Sequence, residues 1–256
     1  MDLDKLLAGE YTLLNEQVIN GHVLAVKENL HYRWFEYGGK FAQSLMHRTE
    51  PDKILTPIYE SLLFFLLLNK QPVNVLNLGL GGASFERSLM GLPQVSITSV
   101  EASQAIIDMA KRYFYLPLNT TVVCQTAETF IARATMQYDV IICDLFIGDK
   151  TPDFLFNINF YQQLKKISAD MVTVMINVQV ETDEQLIRAS LAIRKHFPYV
   201  VLMEFDGYAN IVIMCSSHVI PKQTLFAQAL AKLTSFSFKP LEKIVSKMHY
   251  IPYQKS

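Results

Sequence analysis

From residue 73 to residue 178 the sequence alternates short, almost uninterrupted apolar runs with segments whose apolar residues recur at helical spacing, and this alternation constrains the fold most strongly. The runs are VNVLNL at 73–78, SITSV at 96–100, TTVVC at 120–124, YDVIIC at 138–143 and MVTVMINV at 171–178. Helix-period segments start at Ser84, Ser103, Ala127, Asn159 and Thr182. In the last of these, Thr182 followed by Gln185 reads as a capping box. Strands that lack polar alternation must be covered on both faces, so βαβ units around a parallel sheet are expected.

The runs YVVLMEF and NIVIMC are separated only by Asp206, Gly207, Tyr208 and Ala209. A connection this short permits an antiparallel hairpin but not a parallel crossover. The expected architecture is therefore α/β: a mostly parallel seven-stranded sheet with a C-terminal antiparallel hairpin, the arrangement of the class I methyltransferase-like Rossmann fold. Roughly the first 70 residues read differently, because HVLAVKEN, YRWFEYGG and FAQSLMH are short alternating segments broken by Asn29, Gly38 and Gly39. They predict a small antiparallel β unit, followed by a helix over about 57–68. The expected division is a small N-terminal β domain over 1–56 and the Rossmann domain over 57–256.

The composition excludes several classes of function. Among 256 residues the formal net charge is −1 and the basic side chains are dispersed, which leaves no electrostatic footprint for nucleic acid or an anionic membrane. Half of the residues are hydrophobic, enough for a sizeable core, yet the longest apolar run, at 62–68, is too short to span a bilayer. The acidic start MDLDKLLAGE lacks an export pattern, so a cytoplasmic location is expected. Cys124, Cys143 and Cys215 lie in or at the ends of apolar runs and read as reduced core residues. The six histidines are scattered without metal-ligand spacing, no metal is expected, and no G-x-S-x-G elbow offers a serine nucleophile.

In an open α/β sheet, ligands bind beyond the carboxyl ends of the strands where strand order reverses, which directs attention to LNLGLGGASFER at 76–87. Gly79, Gly81 and Gly82 permit positive φ and close approach of a ligand to the backbone, but Ser84 stands where a third motif glycine would be. The turn alone is compatible with a cofactor loop or with a tight strand-to-helix corner. Glu101 ends the second strand 22 residues after Gly79, where a carboxylate can take the two ribose hydroxyls of an adenosine. The alternative for Glu101 is a carboxylate favouring the next helix N-terminus. An S-adenosyl ligand fits this loop and the antiparallel sheet end better than NAD.

Asp144 ends the fourth strand in YDVIICDLFIGDKTPDFL, with Asp149 and Asp153 in the following loop, whereas Asp139 opens the strand away from any ligand. A carboxylate at 144 can hold a cationic amine and remove its proton, or it can cap the loop. Tyr113, Phe114 and Tyr115 read as packing residues. Trp34 and Phe35 fit either a pocket wall or a dimer contact.

With these residues in view, the chain from about 21 to 215 resembles the spermidine synthase (polyamine aminopropyltransferase) family, and more closely its divergent bacterial spermidine-synthase-like members. NLGLGGASFERSL resembles the glycine motif, ITSVEAS the ribose-binding acid, YDVIICDLFIGDKTP the catalytic loop, GGKFAQSLMH the stretch whose glutamine faces the nucleoside, and PIYESLL the gatekeeping helix. The resemblance implies Asp144 as general base, Glu101 as ribose ligand, Gly79, Gly81 and Gly82 as the cofactor turn, and Gln43 facing the nucleoside. It implies Gln125 and Thr126 at the adenine edge, in place of the family's glycine-aspartate pair, and Tyr59 and Asp149 at the amine. The family's second loop acid is replaced by an apolar residue, and His47-Arg48 lie near the place of a further acidic pair. The implied reaction moves an aminopropyl group from decarboxylated S-adenosylmethionine to a small-molecule amine, in a homodimer without nucleic-acid or membrane partners. The alternatives are an S-adenosylmethionine-dependent methyltransferase and a non-catalytic nucleoside-binding relative.

Overall fold

The computed structural model describes residues 7, 9–19, 21–38, 42–68, 73–148, 150–230 and 244–253, with the backbone alone for 227–230. Four antiparallel strands, β1 (Thr12–Ile19), β2 (His22–Glu28), β3 (Tyr32–Tyr37) and β4 (Ala42–His47), form the first sheet in sequence order. The expectation located β2, β3 and β4; β1 was not foreseen, because its exposed and half-buried residues follow no strict alternation. One face of this sheet carries Leu24, Val26, Phe35 and Met46, which pack against Met109 and Phe114. Trp34 is also buried, edge-on to Tyr11, with its indole N–H donating to Glu36 Oε1 at 3.0 Å.

Thr56 caps helix α1 (Pro57–Leu62), its hydroxyl accepting from the Tyr59 N–H, and Pro57 supplies the preset φ of a first helical turn. The following Leu63–Leu67 tightens to a 3-10 helix rather than continuing the expected α-helix. The large sheet then winds through β5 (Val73–Leu78), α2 (Ser84–Leu89), β6 (Val95–Glu101), α3 (Gln104–Tyr113), β7 (Thr121–Cys124), α4 (Ala127–Arg133) and β8 (Tyr138–Cys143). It continues with α5 (Ile158–Lys166), β9 (Ser168–Gln179), α6 (Asp183–Arg194), β10 (Tyr199–Glu204), β11 (Asn210–Ser216), α7 (Gln223–Leu230) and β12 (Met248–Ile251). The strand order is β12-β10-β11-β9-β8-β5-β6-β7. Strands β5 to β9 pair in parallel, while β11 pairs antiparallel with both β9 and β10.

This is the class I methyltransferase-like Rossmann fold, with one difference from the expected sheet. An eighth strand, β12, pairs antiparallel with β10 at the edge. Its four residues MHYI alternate too briefly to be legible as a strand. The capping box at Thr182 is present with a shift: Thr182 Oγ1 accepts from Gln185 N at 3.3 Å, but Gln185 Oε1 accepts from the N–H of Glu181, not of Thr182. Cys143 and Cys215 are buried, whereas Cys124 is exposed, correcting its assignment to the core; β7 is an edge strand with both ends open to solvent.

Arg87 joins the parts. Buried at 4% exposure, its guanidinium donates to the carbonyls of Pro51 and Phe114, each at 2.6 Å, and to that of Gly82. Burial lowers its pKa to about 10. The segment after the small sheet, the glycine turn and the end of α3 are thus held by one cation.

Candidate active site

The order of the large sheet reverses between β5 and β8, and the loops leaving these two parallel strands lie side by side. They open into a cavity of about 790 Å³, within the usual range for a small-molecule site. Its walls bring together Gln43, Tyr59, Gly79, Gly81, Glu101, Gln125, Thr126 and Asp144 from six separate stretches of sequence. Gly82 does not line it, and Asp149 lies outside the described residues.

The glycine turn divides its work. Gly79 has φ 100°, and a Cβ there would overlap the Asp144 carbonyl oxygen, so this glycine allows the two loops to touch. Gly81, at φ 51°, would direct a Cβ into open space and lines the cavity. A Cβ on Gly82 would strike the Ser44 hydroxyl, which accounts for Gly82 by the packing of the turn against β4. Ala83, the residue before α2, takes a left-handed φ of 56° without being glycine.

Glu101 is wrapped by backbone donors: Oε1 accepts from Ser103 N at 2.9 Å and Oε2 from Leu80 N at 3.3 Å. Burial nonetheless raises its pKa, with those bonds opposing the shift. On the same side, Gln125 N donates to Glu101 O, and Thr126 caps α4 through the Thr129 N–H.

Asp144, directly after the end of β8, lines the same cavity. Its Oδ1 accepts from Asn177 Nδ2 at 2.8 Å, and the Tyr59 side chain lines the cavity beside the carboxylate. Asn177 Oδ1 in turn accepts from Asn210 Nδ2 at 3.0 Å. Enclosure raises the Asp144 pKa, opposed by the Asn177 bond and the nearby Tyr59 hydroxyl. Gln43 reaches over from β4 and donates to Gly148 O at 3.0 Å, tying the small sheet to the loop after β8. Asp139, at the other end of β8, accepts from Asn74 N, and Asp153 is exposed at the start of a short 3-10 turn. Phe114 is buried in packing, Tyr115 is exposed, and Phe35 both packs on Phe114 and reaches the cavity.

Sequence reasoning missed Asn177, Gln179, Tyr208 and Asn210, which line the wall beside Asp144. The available signal was Asn177 itself: a buried amide interrupting the apolar run of β9 needs a partner, and a partner identifies a polar site. Among the described residues no three His, Cys, Asp or Glu side chains converge as a metal-ligand set, and no helix is long and apolar enough to cross a membrane.

Residues 56–218 match the spermine/spermidine synthase domain, a stretch that contains both loops and both asparagines. The chain belongs to this family. A polyamine aminopropyltransferase of Vibrio vulnificus is 29% identical over 179 residues, covering 66% of this chain and 60% of that protein. The chain thus spans less than two thirds of that relative. Among solved structures, a probable spermidine synthase from Corynebacterium glutamicum superposes with a TM-score of 0.75 at 16% identity, covering 92% of this chain and 89% of the other. A spermidine synthase in complex with the transition-state analogue AdoDATO gives 0.72 at 17% identity, covering 94% and 84%. At such identities the likeness concerns the fold.

Proposed function

We propose that the protein is an aminopropyltransferase that moves the aminopropyl group of decarboxylated S-adenosylmethionine to an amine. The carrying observation is one cavity lined by the glycine turn after β5 and by the Glu101 and Asp144 carboxylates, which stand at the ends of the strands on either side of β5. Glu101 takes the ribose hydroxyls, the Gly81 backbone lies against the nucleoside, and Gln125 and Thr126 border the base. Gln43 and Tyr59 close the cavity from the small sheet and α1.

Asp144 attracts the acceptor ammonium and removes its proton. The freed nitrogen forms a bond to the aminopropyl carbon attached to the sulfonium. The carbon–sulfur bond breaks with its electron pair passing to sulfur, which leaves methylthioadenosine. A carboxylate raised in pKa by enclosure is a stronger proton acceptor than one in water, and Asn177 and Tyr59 keep it available in the ionised form. The family relationship supports this reading over methyl transfer. A cytoplasmic homodimer is part of the proposal, to be checked by sedimentation of the purified chain.

The test is turnover of decarboxylated S-adenosylmethionine with a panel of mono-, di- and polyamines, reading methylthioadenosine and the extended amine. Asp144→Asn should reduce turnover by at least ~100-fold. Wild type that binds methylthioadenosine but extends no amine on the panel refutes the proposal, and methylation with intact S-adenosylmethionine would replace it.

A further inference from the structure

Strand β9 is apolar from Val172 to Val178 except at Thr173 and Asn177, and Asn177 is only 4% exposed. In the β9–β11 pairing Asn177 lies opposite Val212 and Gln179 opposite Asn210, so Asn177 and Asn210 are diagonal neighbours on one face. Their hydrogen bonds have only one consistent direction. An ionised carboxylate only accepts, so the Asn177 amide must present its NH2 group to Asp144. Its oxygen then faces away and needs a donor, which Asn210 Nδ2 supplies. Without Asn210 the Asn177 amide could turn over and set its oxygen against the carboxylate.

We propose that Asn177 and Asn210 are positioning residues for Asp144, a two-amide relay that fixes one carboxylate oxygen in the ionised form and leaves the rest of the group to Tyr59 and the amine. The inference rests on Asp144 as proton acceptor, and it deepens that reading by naming what sets the pH at which the acceptor works. The groups around Asp144 are Tyr59 on α1, Cys143 before it on β8, and Glu86 and Arg87 of α2 behind Tyr59. None of these donates to Oδ1 from the β9–β11 side, so the two amides act there alone among the described residues.

The sign follows from the donor. A hydrogen bond to the ionised form lowers the pKa, and its loss raises it. Titration of Asp144 by carbon NMR of protein labelled at the aspartate carboxyl, assigned by the signal missing in Asp144→Asn, reads this without turnover. In Asn177→Leu the midpoint should rise by about 1 to 2 in pH, each step of one being tenfold in the ionisation constant. The acid limb of the kcat/KM profile should move the same way, while methylthioadenosine affinity stays within twofold. Asn210→Leu should raise the midpoint by a smaller step, and should add nothing once Asn177→Leu is present. Asn210 is half-buried at a strand start, so its variant carries the test if Asn177→Leu fails to fold.

Unchanged midpoints in the folded variants overturn the relay, and additive effects in the double variant overturn the role of Asn210 through Asn177. If the wild type extends no amine but the midpoints move as stated, the relay stands and the transferase reading falls.

Discussion

Gly79 and Asp144 touch backbone to backbone: a single methyl group on residue 79 would occupy the volume of the Asp144 carbonyl oxygen. The contact locks together two loops that line the cavity, and φ at Gly79 is 100°, where side chains are strained. Gly79→Ala should therefore destabilise the fold by more than ~2 kcal/mol in urea unfolding and abolish methylthioadenosine binding. Gly81→Ala meets open space and bears only the backbone strain, so it should weaken binding with a smaller loss of stability. Equal stability losses at the two positions would count against this division.

Glu101→Gln removes the charge that is proposed to hold the ribose. Methylthioadenosine binding should weaken by roughly 1.5–3 kcal/mol, read by calorimetry, with the folded state retained. An unchanged dissociation constant would assign Glu101 to its backbone partners Leu80 and Ser103 alone.

Gln43→Ala cuts the one side-chain bond described between β4 and the loop after β8. A typical hydrogen bond contributes about 0.5–1.5 kcal/mol, so amide exchange at Lys150, which donates to Ile147 O, should quicken by roughly 2- to 12-fold. Exchange in β9 should not change. No acceleration at Lys150 would mean that the loop holds itself.

Glu86 is 2% exposed, accepts from Asn77 Nδ2 at 2.8 Å and from Ser99 Oγ, and burial raises its pKa. A carboxyl raised in the folded state binds its proton more tightly there than in the unfolded chain. Its contribution to stability is thus fully present below the unfolded value of 4.5 and is lost as pH rises through the folded value. Glu86→Gln should abolish that slope, making the variant relatively more stable than wild type above this window. Parallel stability curves for the two proteins in a pH series would refute it.

Sequence alone pointed to residues that line the cavity through backbone chemistry. Gly79 and Glu101 are legible because a turn and a strand end impose them locally, and the continuous apolar runs announce a sheet buried on both faces. The Asn177–Asn210 pair was illegible because it depends on the register between β9 and β11, which no short-range pattern encodes. The same holds for Gly82, whose neighbour Ser44 comes from the other sheet. β12 was missed because four residues pairing at an edge carry too little periodicity.

The apolar face of the small sheet has a further consequence, in the order of synthesis. Leu24, Val26, Phe35 and Met46 leave the ribosome before Met109 and Phe114 exist to cover them. Until α3 is complete the nascent chain presents an uncovered apolar sheet face, and the Pro51 carbonyl waits for the Arg87 guanidinium. This face therefore stays open to aggregation until α3 has been made, and a pause placed between these two segments would lengthen that exposure.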